Sequence, residues 1–385
     1  MKKSILILAA FAFVAFSCTK TEVKDDTPKK GINFSAYTAK PTKAAQEEVT
    51  NTTLGDFKVT AIGNGATYFD NISFTKNASS IWVSNPEYFW PAFALDFYAY
   101  NTPLSATASF TRNIATSGQT LVVKPSPELA NQEDLVAAYA AGQKETNNNA
   151  KGAIAITFKH YLTQVIVKAK CSNPLYSVLV DGVKLANMAG EGTYTFSTNT
   201  MTATQDSINS DKSRNYKELF SERLLTSDPK EVMTDTDQKG RWYLIPQSVT
   251  AWNRLPASGT PDMTNSSNGT YLALKVKITA NGGALKIYPA TGDDSGWMAV
   301  PIPTTWTSSV ETNPSIFAQG KRYTIILDFF GRNGAGYVDP EVPSDLDGDG
   351  SANNDNGKKI IGGPIQFDAT VETWEDNDVT ITISL

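Results

Sequence analysis

The chain has 385 residues, 41% hydrophobic and 10% aromatic, with 34 basic and 39 acidic side chains and a formal net charge of −5. That length suits two domains rather than one, and the composition is that of a chain able to bury a core. No basic stripe appears, so nucleic acid is excluded as an expected partner.

Two cysteines and a single histidine remove most metal and nucleophile chemistry. The chain opens with Met1-Lys2-Lys3, an apolar run from Ile5 to Phe16, then Ser17 and Cys18. This pattern predicts a secretory signal over residues 1–17, too short to span a bilayer as a helix. Cys18 resembles the lipid-accepting cysteine of bacterial lipoprotein signals, although Ala15 stands where a leucine is usual. A lipidated Cys18 would tether the chain to a membrane through its acyl chains. The other reading is an ordinary signal cut near Ser17. Residues 18–30 are polar and charged, with Val23 the one large apolar side chain after Cys18, and predict a flexible tether. Lys24-Asp25-Asp26 looks like the signal that sends some lipoproteins to the outer face of the outer membrane.

Beyond the tether, period-two alternation predicts antiparallel strands. Gly63-Asn64-Gly65 reads as a turn, and Leu95, Phe97 and Ala99 form one face of a strand. Ser126-Pro127-Glu128 would cap a short helical turn. His160 lies inside the strand-like run Ala153–Cys171, where a structural role is expected. Cys171 shares a face with Val165, Val167 and Ala169, which predicts a buried, inert thiol. A domain boundary is expected near Ser172-Asn173-Pro174. It divides the chain into an N-terminal β-sandwich over 31–172 and a C-terminal one over 173–385. Lys212–Leu225 carries the best helix signal. Leu272, Leu274, Val276 and Ile278 form the next strand face, followed by a turn at Asn281-Gly282-Gly283. Tyr323, Ile325, Leu327 and Phe329 form another face, with a glycine-rich turn from Gly331 to Gly336. Val379, Ile381, Ile383 and Leu385 form the last.

Seven segments in order resemble the fimbrillin-like family of type V pilins and related surface lipoproteins. They are Phe34-Ser35-Ala36 with Thr42-Lys43-Ala44, then Leu54 to Ala61, then Trp90-Pro91 with Leu95 to Tyr100. Asp134 to Ala138, Ile156 to Leu162, Leu244 to Gln247 and Gly320 to Tyr323 follow. The resemblance implies an all-β chain of two transthyretin-like antiparallel β-sandwich domains. It also implies a surface lipoprotein subunit from which a protease removes the first strand, here Gly31–Ala39. A terminal strand of another subunit then fills the groove by strand addition. The family cuts after arginine, yet no arginine precedes Arg112. Lys43, followed by Ala44, occupies the matching position and reads equally as a solvated loop lysine. Val379, Ile381, Ile383 and Leu385 suit a donor strand, and also the closing strand of their own domain.

Asp345-Leu346-Asp347-Gly348-Asp349-Gly350 matches the opening of a calcium loop, with Asp345, Asp347 and Asp349 as candidate ligands. Position twelve is Asn356 rather than glutamate, so a polar surface turn is the competing reading and no metal is expected outright. No cofactor and no enzymatic activity is expected. The expected partners are other fimbrial subunits through strand addition and the outer membrane through lipid on Cys18. The alternative is a non-polymerising surface lipoprotein binding glycan or a host ligand. Trp297 and Trp306, beside Pro301 and Pro303, and Trp252 beside Asn253 could then stack on sugars, or else fill a core.

Overall fold

The computed structural model describes residues 29–38, 53–101, 109–115, 118–204, 213–233, 240–253, 269–292, 294–302, 316–332, 334–352, 355–373 and 382–384. The protein is all-β. Among the described residues the helical segments are 3₁₀ turns of three residues, such as Leu129–Asn131. The N-cap of that turn is Glu128, which makes no side-chain cap; the Ser126 Oγ accepts a hydrogen bond from the Glu128 N–H just before the turn. No helix among the described residues is long and apolar enough to cross a membrane.

The first part of the chain is a closed ladder of strands. In spatial order it runs Phe34–Thr38, Trp82–Ser84, Ala66–Lys76, Phe57–Gly63, Leu95–Asn101, Val136–Gln143 and Ile154–His160, and back to Phe34–Thr38. The alternation in the sequence sets which face points inward. Leu95, Phe97, Ala99, Ile154, Ile156 and Phe158 are buried, while Ala155, Thr157 and Lys159 are exposed. The turn expected at Gly63-Asn64-Gly65 is a two-residue hairpin with Gly63 paired to Ala66. Asn64 and Gly65 have φ of 51° and 71°, the left-handed conformation such a turn demands.

Two further sheets enclose the largest core. One runs Lys230–Glu231, Thr163–Cys171, Lys321–Phe329, Gln366–Thr373, Thr382–Ser384, with Trp242–Leu244 also pairing to Thr163–Cys171. The other runs Ser213–Leu224, Tyr176–Ala189, Tyr271–Ala280, Gly296–Pro301, Tyr337–Val338. Leu272, Leu274, Val276 and Ile278 from one sheet, and Tyr323, Ile325, Leu327 and Phe329 from the other, all enter this core, as their alternation predicts.

Two expectations need correction. Ser213–Leu224 is a strand, not a helix, and pairs antiparallel with Tyr176–Ala189. Its Lys, Glu and Leu residues favour helix locally, but the ladder and the burial of Tyr216 override that weak preference. Nor are the sheets wholly antiparallel. Phe34–Thr38 runs parallel to Ile154–His160, and Thr163–Cys171 runs parallel to Lys321–Phe329. Hydrogen bonding also runs across the position near Asn173 where a domain boundary is expected. Thr163–Cys171, before it, pairs with Lys321–Phe329, after it. Gly118–Lys124 likewise pairs with Gly192–Thr195. The sequence shows each strand's face but not its partner, so a strand adjoining the first ladder in sequence was open to assignment to either side.

Candidate functional site

The candidate site is the seat of the first strand. Phe34–Thr38 closes the ladder by pairing along its length with Ile154–His160. On its other side the strand register is confined to Phe34 opposite Trp82. Just upstream, the Ile32 N–H donates to the Tyr88 carbonyl at 2.7 Å and the Trp90 N–H donates to the Lys30 carbonyl at 3.2 Å. Ile32 and Phe34 are fully buried and Ala36 nearly so. The Phe34 ring lies edge-on to Phe74 and Phe97, with centroids 4.8 and 5.1 Å away, and within 6.0 Å of Phe57. Such contacts add about 0.5–1.5 kcal/mol each beyond area burial. Withdrawal of the strand would leave a slot walled by Phe57, Phe74, Trp82, Phe97 and Ile154, with an unpaired backbone edge along Ile154–His160.

Lys43 and Ala44 lie outside the described residues, between Thr38 and Thr53, as does Cys18 near the chain start. Val379, Ile381 and Leu385 are outside them too. The backbone of Ile383 is described: it pairs with Ala369 where Thr382–Ser384 forms the outer strand of its sheet. The strand seat itself was only half visible beforehand. The alternation of Ile154, Ile156 and Phe158 announced a buried face, but nothing in it announced a parallel partner more than a hundred positions earlier.

The acidic turn brings Asp345, Asp347 and Asp349 together, their ligand oxygens within 4.8 Å of one another. Asp345 is buried. It accepts hydrogen bonds from the Gly348 N–H at 2.8 Å, the Gly350 N–H at 3.1 Å and the Thr291 hydroxyl at 2.9 Å. Burial pushes its pKa up, but those donors outweigh it and leave the carboxyl below its ordinary value. Gly350 has the positive φ of 80° that the sharp turn needs. The Lys358 ammonium sits 2.6 Å from Asp355 and 3.8 Å from Asp347. The Asn356 amide, in the twelfth position, donates to the Pro340 carbonyl at 2.9 Å. The carboxylates thus serve their own turn, and a lysine already supplies positive charge.

The remaining candidates are structural. His160 Nδ1 lies 3.0 Å from Asp134 Oδ1, with both side chains fully buried. Cys171 is buried, and desolvation pushes its thiol pKa up, away from the reactive thiolate. Trp252 and Trp297 are buried in one cluster with Tyr271, so neither offers an exposed ring to a sugar. Trp306 lies outside the described residues.

A family model described as fimbrillin-like matches residues 42–336, more than half of the chain. The chain belongs to the fimbrillin-like family. A fimbrial protein from Bacteroides vulgatus ATCC 8482 shares the fold. It has a TM-score of 0.52 at 17% identity, covering 77% of this chain and 94% of its own. The fimbrial anchor protein Mfa2 from Porphyromonas gingivalis is 12% identical, covers 90% of this chain and 98% of its own, and has a TM-score of 0.33. No curated protein matches the chain.

Proposed function

We propose that this fimbrillin-like protein is a structural, accessory or tip subunit of a surface fimbria. In this reading it is exported by the signal at residues 1–17 and anchored in the outer membrane through lipid on Cys18. Cleavage after Lys43 severs the first strand from the fold, and strand addition from another subunit refills its seat. One observation carries the reading. Phe34–Thr38 completes a closed ladder and fills its core, while the segment that follows carries Lys43. Once cut, the strand is held by non-covalent contacts alone, and a strand of similar alternation can compete for the slot. The intact strand meanwhile blunts an apolar edge that would otherwise aggregate.

We also propose two folding units of transthyretin-like type, the first closing its ladder at His160, with Gly118–Lys124 reaching from it to pair with Gly192–Thr195 of the second. The strands Val136–Gln143 and Ile154–His160 complete the first ladder, and Thr163 begins the next sheet. The role is structural rather than enzymatic. The residues Val379, Ile381, Ile383 and Leu385 are the proposed donor, and Thr382–Ser384 closes its own sheet until assembly.

The test is limited digestion of the purified protein with a lysine-specific protease, beside a Lys40→Gln/Lys43→Gln variant. Cleaved wild type should form multimers by size-exclusion chromatography, and the variant should stay monomeric. Ile381→Asp with Ile383→Asp should stop assembly, because a buried unpaired charge costs more than the slot returns. A cleaved wild type that remains monomeric would favour the non-polymerising surface binder instead.

A further inference from the structure

We propose that Lys184 and Asp339 join in an intramolecular amide bond, formed by the fold itself with Glu341 as proton carrier. This cross-link is independent of strand exchange. Lys184 lies on Tyr176–Ala189, and its ammonium is almost wholly buried. Its Nζ is 2.9 Å from Asp339 Oδ2 and 2.9 Å from Glu341 Oε2. Asp339 is fully buried, directly after Tyr337–Val338 at the far edge of the same sheet.

The sheet register explains how the two meet. Lys184 is paired with Ala273, Ala273 with Ala299, and Ala299 with Tyr337. Two alanines therefore occupy the row from Lys184 to Tyr337, two residues before Asp339, leaving room for the lysine stem across the sheet. The rings of Tyr271 and Trp297 flank it, with the ammonium 5.2 and 5.3 Å from their centroids. This aromatic enclosure limits the water that can reach the lysine stem.

The two oxygens of Asp339 are treated differently. Oδ1 accepts hydrogen bonds from the backbone N–H groups of Glu341 at 2.8 Å and Val342 at 2.9 Å, with the Tyr271 hydroxyl at 3.4 Å. It is the oxygen on which negative charge would build when a nucleophile adds to the carboxyl carbon. Oδ2 is buried and makes no hydrogen bond, because Lys184 Nζ stands close to it but outside hydrogen-bonding alignment. It is the oxygen placed to leave. The amine is thus held in contact with the carboxyl group it would attack, 2.9 Å from the oxygen that would leave.

The reaction balances without an oxidant or co-reactant. Glu341 takes a proton from the ammonium and passes it to Oδ2, giving a free amine and a carboxylic acid. The amine lone pair attacks Cγ and the Nζ–Cγ bond forms. Glu341 then moves a second nitrogen proton to Oδ2, the Cγ–Oδ2 bond breaks, and water departs. Asn215 holds the Glu341 carboxylate in place, its Nδ2 3.2 Å from each oxygen. Glu341 is partly exposed, which gives the water an exit. The product ties a central strand to the last strand of the sheet across two intervening strands, a bond suited to a protein under pulling force.

Tandem mass spectrometry of the digested full-length protein tests this. The expected result is a branched peptide containing Lys184 and Asp339, lighter than the two separate peptides by one water, with no cleavage at Lys184. Lys184→Met should abolish it. Glu341→Gln should slow its appearance after refolding by about 10²-fold or more, the usual reach of general acid–base catalysis. Wild-type protein giving unlinked Lys184 and Asp339 peptides at full mass would overturn the proposal and leave a buried ion pair. Equal linking rates in wild type and Glu341→Gln would overturn the role of Glu341.

Discussion

Phe34–Thr38 sits inside a closed ladder with its aromatic ring against three others, whereas Thr382–Ser384 pairs with Gln366–Thr373 at the outer end of an open sheet. The first strand completes a core; the last stands at the outer end of its sheet among the described residues. Strand exchange needs both kinds. A seat must be deep enough to reward its occupant, and a donor must be cheap to release from its own fold. The difference also explains why a cut would be needed at one end only. The first strand will not leave while it is covalently continuous, but an edge strand can fray.

The largest expected effect is at the first strand. Phe34→Ala removes a fully buried ring that touches Phe57, Phe74 and Phe97, and should cost about 3–5 kcal/mol. The denaturant midpoint should fall with the slope unchanged. A loss below about 1 kcal/mol would show that the slot collapses around the deletion, and the seat would then be too plastic to select a donor.

Removing residues 382–385 should cost less. Three register pairs are lost at the edge, Asp368 with Ser384, Ala369 with Ile383 and Thr370 with Thr382. At about 1 kcal/mol for a net hydrogen bond, the loss should be about 1–3 kcal/mol. If the truncated chain is destabilised as much as Phe34→Ala, the contrast between the ends fails. Cys171 offers a finer readout of the same truncation. It lies in the sheet that carries the last strand, buried, with its thiol pKa raised by desolvation. A thiol reagent should leave it unlabelled in the intact protein. It should stay nearly so in the truncated one, because Lys321–Phe329 and Gln366–Thr373 still stand between Cys171 and the lost edge.

Much of this arrangement was legible in the residues, and the rest was hidden for a definable reason. Alternation reports which face of a strand is buried, so Leu95 to Ala99, Leu272 to Ile278 and Tyr323 to Phe329 read correctly. Asn64-Gly65 reads as a turn because few other residues adopt its backbone. Partner choice is non-local and leaves no such trace. The parallel pairing of Phe34–Thr38 with Ile154–His160 depends on the whole ladder. The burial of Trp252 and Trp297 comes from packing with Ala186, Tyr271, Ala273 and Ala299, which lie far apart in the chain, so their exposure could not be read from neighbouring prolines and asparagines. Lys184, Asp339 and Glu341 were missed for the same reason. A lone lysine in a strand is unremarkable until the register puts two alanines between it and Tyr337, two residues before a carboxylate.

The smallest expected effect concerns the acidic turn, which leads from Tyr337–Val338 towards Gln366–Thr373, the partner of the last strand. Asp345 has its carboxyl pKa lowered in the folded protein, because donors from Gly348, Thr291 and Gly350 outweigh the effect of burial. A depressed folded value means that the unfolded chain binds the proton more readily. The stabilisation is therefore present above the unfolded value of about 3.9 and is lost as pH falls through the lower folded value. Hydrogen exchange at the Gly348 and Gly350 amides, referenced to Asp345→Asn, should show protection that declines only in that acid window. In Asp345→Asn the window should vanish, since an amide does not titrate there. The exchange of Gln366–Thr373 should not follow the turn, because those residues are held by Lys321–Phe329 on one side and the last strand on the other. If their protection falls together with that of Gly348 and Gly350, the turn is coupled to the edge, and release of the last strand would be acid-sensitive rather than set by its own ladder.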